Sequence, residues 1–397
     1  MHNNSNTIVH YKSSLVALPL IFTPVLLYPP LCLTYNVSDS LRIGLFVLLI
    51  SYLFLATRSI SRIDMTIAAL FLFLTVSVWY TNYAYMDGLR TAGSTMLTLA
   101  FAWSMRRAVN KNERVKNALV KFYTNFFILI PTFSVLSIIY LYIFGELNLF
   151  NLDGGEHGTY IFTPFGILLS KDFAGIFEVY RSFSYFLEPV LLAVFYVANI
   201  FLVAPHLKSK SRLFLISNVI GGILTFSYLF FVLSFLIIFL NKVRAISMRS
   251  GIYILLFAIC VQFFLQIDIF ASSSLSDRVE RMNYFLEAMG ASDIYQFMLG
   301  HGFVQDTGFD RGFSGGLFTT IYEVGVVNLM AITYFVFILV NKNYQILLLF
   351  LAAQLAVEPI KMPLCWVLVV VLAAVMPERY SLLPKGVDFF KRKNIAV

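Results

Sequence analysis

Four arginines stand in two polar stretches of an otherwise apolar chain, and arginine is well suited to binding an anion. Arg181 lies in the first stretch, and Arg278, Arg281 and Arg311 lie in the second. The planar guanidinium binds phosphate oxygens in a bidentate way, and each charge-assisted hydrogen bond contributes roughly 1.5–3 kcal/mol. If these arginines cluster, they form a site for a pyrophosphate. The alternatives are ion pairs that only stabilise the fold and contacts with lipid headgroups.

Two acidic residues stand at the start of an apolar run or inside one. Glu188 directly precedes a proline, which is typical of the first turn of a helix. The helix dipole favours an acid there, so Glu188 is a cap residue, a partner of Arg181 or a general base. Glu323 lies inside a later apolar run, two residues before Gly325. An acid at membrane depth indicates a functional site, unless a residue such as Arg90 neutralises it.

Two histidines in the polar stretches have glycine neighbours. His301 lies between Gly300 and Gly302, where the backbone can approach a ligand closely, and it is a candidate general base or hydrogen-bonding residue. His157 lies in a turn-forming segment, and it is a base, a sugar-binding residue or simply an exposed loop histidine. Three tyrosines either stack on sugars or anchor the chain at the membrane interface: Tyr180, Tyr185 and Tyr284.

The composition places these residues in a membrane protein. Apolar residues make up 59% of the 397 residues, charged residues make up 13%, and the mean hydropathy is +0.81. Soluble domains carry about 25% charged residues, so a cytosolic enzyme, a disordered chain and a disulfide-rich secreted module are excluded. The sequence has no CxxC, HExxH, P-loop or GxGxxG motif. In a membrane protein the net charge of +8 reports topology rather than nucleic-acid binding.

The apolar runs predict an all-α, polytopic integral membrane protein with one transmembrane domain, residues 1–397. A helix crosses the hydrocarbon core with about 20 apolar residues. We predict spans at 14–35, 41–57, 65–81, 88–105, 119–144, 187–205, 251–269, 317–340, 344–360 and 362–377. The run 213–240 has basic residues at both ends and is predicted to form a short hairpin that bends near Thr225 and Ser227. The total is about twelve crossings, with both termini in the cytoplasm.

The distribution of charge agrees with this orientation. The cytoplasmic segments hold 21 of the 29 Lys and Arg residues, as the positive-inside rule requires. We interpret the cytoplasmic basic clusters, which include Arg106 and Arg107, as topology signals and contacts with anionic lipids. Because the outer side is otherwise acidic, its few arginines are conspicuous.

Two long polar stretches form a first outer loop at about 145–186 and a second outer loop at about 270–316. Loops of this length in a compact protein are usually functional. Within the second outer loop we predict an amphipathic helix at 277–289. Asp277 and Glu280 have the spacing of a capping box. Four apolar residues form a stripe at helical spacing: Val279, Met282, Leu286 and Met289.

Four segments of this chain resemble the O-antigen polymerase (Wzy) and O-antigen ligase superfamily. The first is Arg181-Ser-Phe-Ser-Tyr-Phe-Leu-Glu188-Pro189, and the second is Leu-Thr-Phe-Ser at 224–227. The third is a Ser-x-x-x-Arg-x-x-Arg helix that leads to Gly300-His301-Gly302-Phe303, and the fourth is Glu323-Val-Gly325. The resemblance covers about residues 178–340, and the order of the motifs is more specific than any one of them.

The resemblance implies a GT-C-like membrane glycosyltransferase of the bacterial inner membrane. Such an enzyme polymerises oligosaccharide repeat units carried on undecaprenyl pyrophosphate into O-antigen or a related surface polysaccharide, without a nucleotide-sugar or a metal cofactor. Arg181, Arg278 and Arg281 would hold the pyrophosphate, and Glu188 and His301 are the candidates for the base. Candidate substrate-binding residues are Arg311, Tyr180, Tyr185, Tyr284, Glu323 and His157. The expected partners are the lipid-linked oligosaccharide, membrane lipids and a regulator of chain length, with no nucleic acid.

Two other functions remain open. An O-antigen ligase transfers finished polymer to lipid A-core, but ligases carry a histidine where this chain has Ser314, so the resemblance favours the polymerase. A flippase for lipid-linked oligosaccharides, or another transporter, should have charged residues in mid-span and short outer loops. This chain has the opposite pattern.

Overall fold

The computed structural model describes residues 62–82, 86–145, 159–173, 177–182, 189–207, 210–242, 273–302, 316–341, 343–354 and 363–376, with part of 43–53. The protein is mostly helical over these residues, in agreement with a helical membrane protein. The predicted spans 14–35 and 251–269, and most of 41–57, lie outside the described residues.

The helices follow the predicted spans closely. In chain order they are α1 (Arg62–Asn82), α2 (Met86–Lys111), α3 (Glu113–Phe144), α4 (Pro189–Ala198), α5 (Ser211–Leu224), α6 (Tyr228–Lys242), α7 (Ser273–Gly290), α8 (Ile294–Leu299), α9 (Gly316–Leu339), α10 (Tyr344–Gln354) and α11 (Pro363–Val375). Helix α4 continues as a π-helical turn (Asn199–Val203) and a 3-10 turn (Ala204–His206). Within the described residues, α1, α3 and α9 are long and apolar enough to cross a membrane.

The apolar run 213–240 breaks into two helices at the predicted position. Helix α5 ends and α6 begins on either side of Thr225, Phe226 and Ser227. The Thr225 hydroxyl donates to the carbonyl of Gly222 at 2.7 Å, and Phe226 has a φ of 43°. Both helices pack against α4. A Cβ on Gly222 would overlap the Phe230 ring, so the absence of a side chain there permits the close turn.

Helix ends that the charge pattern assigns to the cytoplasm lie together. Asp64, near the start of α1, accepts from the Trp103 Nε1 at 3.1 Å and forms an ion pair with Arg107 at 3.4 Å. The Nε of Arg106 donates to the carbonyl of Leu339 at 3.0 Å, at the C-terminal end of α9, where the helix dipole favours a cation. Arg106 and Arg107 are only 6% and 5% exposed. The interpretation of these two as lipid contacts is therefore wrong.

A buried polar network joins α3, α4 and α5. The Tyr123 hydroxyl donates to Asn199 Oδ1 at 2.8 Å, and Asn199 Nδ2 donates to Asn218 Oδ1 at 2.8 Å. Asn218 Nδ2 then donates to the carbonyls of Phe214 and Phe127. A polar group away from water is stable only when it is hydrogen-bonded, so this chain of bonds fixes how the three helices pack. Asn199 also begins the π-helical turn.

A three-stranded antiparallel sheet occupies part of the first outer loop, where an all-α fold predicts no strand. Its strands are β1 (Thr159–Thr163), β2 (Gly166–Phe173) and β3 (Phe177–Ser182), in that spatial order. Ile161 and Leu168 pack on Leu141 at the end of α3. The Thr163 hydroxyl also contacts the Ser137 hydroxyl at 2.7 Å. The sheet is therefore fixed to α3 and holds β3 in a defined position.

Candidate functional site

The first-loop arginine is held against the bend between α5 and α6. Arg181 lies near the end of β3, opposite Leu169, and its side chain is partly exposed. Its Nε donates to the carbonyl of Thr225 at 3.1 Å. This bond fixes the plane of the guanidinium relative to the bend. It also brings the first two segments of the resemblance, at Arg181 and at 224–227, into contact.

The same bend carries a second buried hydroxyl. The backbone N–H of Ser227 donates to the Thr225 hydroxyl oxygen at 3.3 Å, which closes the turn. Ser227 is 1% exposed, and its own hydroxyl has no hydrogen-bond partner among the described residues. Sequence reasoning placed Ser227 at the bend, but the burial of its hydroxyl depends on tertiary packing and required the structure.

The third and fourth segments of the resemblance are also in contact, through their backbones. The N–H of His301 donates to the carbonyl of Tyr322 at 2.8 Å, and the N–H of Gly302 donates to the carbonyl of Glu323 at 3.0 Å. Helix α9 is interrupted just beyond these carbonyls, where Gly325 has a φ of 76° and a ψ of 168°. A break in a helix leaves the preceding carbonyls without their helical donors. The second outer loop supplies donors instead.

Two glycines make this approach possible. A Cβ on Gly300 would overlap the carbonyl group of Glu323, and a Cβ on Gly325 would overlap the backbone N of Gly300 and the carbonyl oxygen of Met298. Gly300 also has a positive φ of 93°. Both positions therefore require glycine for two reasons: the backbone conformation and the lack of space.

The Asn328 side chain stabilises the contact between Gly300 and the break in α9. It is fully buried, and its Nδ2 donates to the Ser77 hydroxyl and to the carbonyl of Val324, both at 2.8 Å, and lies 3.3 Å from the carbonyl oxygen of Leu299. The three oxygen atoms belong to α1, α9 and α8. The amide therefore joins the helix before the break, the helix that precedes His301 and the neighbouring span.

The His301 side chain is fixed on two sides. Its Nε2 lies 2.6 Å from the Ser292 hydroxyl, and its ring stacks on Tyr322 with centroids 4.1 Å apart and an interplanar angle of 8°. Burial lowers the pKa of His301 below the ordinary histidine value, and the nearby Asp293 carboxylate opposes this shift without cancelling it. His301 is therefore neutral at pH 7 and able to accept a proton.

The amphipathic helix of the second outer loop is longer than predicted. Helix α7 covers Ser273–Gly290 and so contains the predicted 277–289. Because it begins a turn earlier, Asp277 is not at its N-terminus, and the predicted capping box is wrong. A capping box does occur at the start of α8, where the N–H of Gln296 donates to Asp293 Oδ1 at 2.7 Å and the N–H of Asp293 donates to Gln296 Oε1 at 3.0 Å.

Helix α7 packs on α9 through a face that differs slightly from the predicted stripe. Met282 and Phe285 are buried there, and the Phe285 and Phe318 rings have centroids 4.9 Å apart. Leu286, which we assigned to the apolar stripe, is 53% exposed. Met282 and Met289 of the predicted stripe lie on this face, so the stripe predicts the right helix and period, with its centre displaced towards Phe285.

Several predicted site residues cannot be placed in this arrangement. His157, Tyr185, Glu188 and Arg311 lie outside the described residues, as do the side chains of Arg278 and Arg281. The α7 backbone at these two arginines is described, four positions before Met282 and Phe285. Helical spacing therefore puts positions 278 and 281 on the side of α7 that contacts α9.

The remaining candidates have packing contacts. Tyr180 packs on the cluster that joins the sheet to α3, and its ring meets Tyr142 edge-on at 6.2 Å. Tyr284 packs at the contact between α7 and α9. Glu323 lies two turns into α9, is partly exposed and uses its carbonyl to accept from the second outer loop.

No protein-family model, curated protein or solved structure matches this chain. In the part of the chain that the structure describes, no three His, Cys, Asp or Glu side chains come together as metal ligands. The function must therefore be argued from the residues and their contacts.

Proposed function

We propose that this chain is a polymerase of surface polysaccharide in the bacterial inner membrane. It would transfer the growing chain from undecaprenyl pyrophosphate to an incoming lipid-linked repeat unit. The observation that supports this proposal is the pairing of the four segments that carry the resemblance. Arg181 contacts the 224–227 bend, and the Gly300–Gly302 segment contacts Tyr322 and Glu323. Segments distant in the sequence thus meet in two contacts, as parts of a functional site would.

In this proposal the arginines stabilise the departing pyrophosphate. Charge develops on the leaving group as its bond to the sugar breaks, and fixed donors aimed at that charge lower the barrier. The bond from Arg181 Nε to Thr225 holds the guanidinium in place before the substrate arrives. Arg278 and Arg281 would act from α7, which packs on α9. The role is electrostatic and uses no metal ion.

The break in α9 bears on the choice between an enzyme and a transporter. In many transporters, interrupted helices expose backbone carbonyls that bind ions or substrate at the bilayer midplane. Here the carbonyls of Tyr322 and Glu323 accept from His301 and Gly302. These carbonyls are already hydrogen-bonded to the second outer loop. We therefore interpret the break as the point where this loop is attached to α9, and not as a transport site.

The experiment is complementation of a deletion strain with the Arg181→Ala and Arg278→Ala variants, read on a polysaccharide gel. A polymerase defect leaves single repeat units attached to core. A ligase defect leaves polymer on the carrier lipid, and a flippase defect leaves no surface repeat at all. We expect the first pattern for the deletion and for both variants.

Lys171→Ala is the matched control, because Lys171 is a basic residue on the neighbouring strand β2. It should restore full-length polymer, and immunoblotting should find all variants in the membrane at wild-type levels. Wild-type polymer from both arginine variants would overturn the pyrophosphate assignment. A ligase or flippase pattern in the deletion strain would overturn the proposed function.

A further inference from the structure

We propose that His301 is the base that deprotonates the acceptor hydroxyl through its Nδ1 atom, and that Ser292 is a positioning residue that holds the ring for this task. The inference rests on the proposed function. It goes further, because it assigns one nitrogen of one histidine and gives a role to a serine that the sequence did not single out.

The hydrogen bonds of Ser292 determine which nitrogen carries the proton. Its hydroxyl lies 2.7 Å from the carbonyl oxygen of Ala288, at the end of α7, and 2.6 Å from His301 Nε2. A carbonyl oxygen only accepts, so we assign the single hydroxyl hydrogen to the bond with Ala288. With this assignment the hydroxyl oxygen accepts from Nε2, which then carries a hydrogen. In the neutral ring, Nδ1 therefore carries the lone pair and is the basic atom.

The ring is held so that this lone pair has a fixed direction. The Ser292 bond fixes one edge, and the Tyr322 stack fixes the plane. The backbone of His301 is tied to the carbonyl of Tyr322 as well. A base held by its partners before substrate binds loses less entropy in the reaction, and a misplacement of 1 Å can cost about 100-fold in rate.

Burial keeps the base neutral, because it lowers the pKa of the imidazole. Among the described residues, the charged or titratable groups around the ring are Asp293 at the start of α8 and Tyr322 and Glu323 on α9. The Asp293 carboxylate raises this pKa, but the effect of burial is larger. Because only the neutral ring can act as the base, His301 accepts a proton at pH 7, and activity is lost as the pH falls through its lowered pKa.

The second outer loop places this base near the proposed pyrophosphate ligands along the chain. Ser292 contacts Ala288 of α7, and Arg281 lies seven residues earlier on the same helix. At a rise of 1.5 Å per residue, these positions are about 10 Å apart along the helix axis. The acceptor oxygen and the pyrophosphate oxygen bond to the same anomeric carbon, so the base and the arginines have to act within one site.

In the transfer step the acceptor hydroxyl gives its proton to Nδ1, and its oxygen forms a bond to the anomeric carbon of the growing chain. The bond from that carbon to the pyrophosphate oxygen breaks, and the electron pair leaves with the undecaprenyl pyrophosphate. The imidazolium then returns its proton to water. If Glu188 were the base instead, the rate of transfer would not depend on His301.

The test uses the purified full-length protein and lipid-linked single repeat units extracted from the deletion strain. His301→Gln places an amide nitrogen near the position of Nε2 and so can keep the Ser292 bond, but it has no counterpart of Nδ1. General base catalysis contributes about 10²–10⁴-fold. We expect kcat to fall at least about 100-fold with KM unchanged, the acidic limb of the pH profile to disappear, and added imidazole to restore part of the rate.

Ser292 variants separate positioning from folding. Ser292→Ala should lower kcat by about 10-fold with little change in KM and with the acidic limb retained, because the base is present but less well held. Ser292→Thr keeps the hydroxyl and should restore the rate. A His301→Gln enzyme with a near wild-type rate, or with its acidic limb intact, would overturn the inference. If wild-type protein extends no repeat unit, the proposed function itself fails, which is a different result.

Discussion

Replacing Gly325 with alanine tests how the second outer loop is attached to α9. Gly325 has a φ of 76° and a ψ of 168°, a region that residues with a Cβ rarely adopt, and the strain costs about 1–3 kcal/mol. An added Cβ would also overlap the backbone of Gly300 and Met298, so the two segments must separate.

The magnitude follows from the bonds that separation breaks. The N–H groups of His301 and Gly302 would lose the carbonyls of Tyr322 and Glu323. Each such bond contributes about 1 kcal/mol, so with the strain the expected loss is about 3–5 kcal/mol. If α9 instead straightens, the strain is relieved and the two carbonyls regain their helical donors, but the N–H groups of His301 and Gly302 still lose their acceptors, so the cost falls to about 1–2 kcal/mol.

Urea unfolding of the purified variants in detergent measures this loss, and the polysaccharide gel reports its effect on function. Gly93→Ala in α2 is the matched control, because nothing lies within 4 Å of an added Cβ there. It should be neutral or slightly stabilising, since alanine favours a helix by up to about 1 kcal/mol over glycine. If Gly325→Ala unfolds like Gly93→Ala, the proposed attachment of the loop is refuted.

Three further predictions concern the packing of the spans and the first outer loop. Asp64→Ala leaves the buried Arg107 guanidinium without its ion pair and should lower the free energy of unfolding by about 3–5 kcal/mol. Glu113→Ala, at an exposed pair, should change it by less than about 1 kcal/mol. Equal urea midpoints for the two variants would contradict this. Asn218→Ala removes the partner of Asn199 and should cost about 1–3 kcal/mol in the same assay, and a loss no greater than that of the exposed Asn110→Ala would contradict it. Arg181→Lys keeps the charge but loses the Nε bond to Thr225, so the gel should show shorter polymer in reduced amount; a wild-type ladder would show that charge alone suffices.

The sequence predicted the apolar helices and the bend because both follow from simple physical limits. A long apolar run favours a helix, which satisfies its own backbone hydrogen bonds, and a run that is too long for one span between two basic clusters is expected to turn. The observed break at Thr225–Ser227 agrees with this reasoning. Counting charges, however, gives the side of the membrane and not the depth, which is why burial of Arg106 and Arg107 was missed.

The sheet and the break in α9 were missed for different reasons. The segment Thr-Tyr-Ile-Phe-Thr has strand-forming residues, but the composition of the whole chain predicts an all-α fold with a long polar loop here. The break at Gly325 depends on a tertiary contact with Gly300, and a single glycine in an apolar run does not reveal such a contact. Sequence reasoning singled out His301 and Arg181 as candidates, but the bonds that join them to Ser292 and Thr225 required the structure.

The most direct test of the proposed function uses purified protein in detergent with lipid-linked single repeat units from the deletion strain, analysed by mass spectrometry. The proposal predicts oligomers that differ by the mass of one repeat, together with one released undecaprenyl pyrophosphate for each bond formed. Folded protein that leaves the single repeat units unchanged would contradict it.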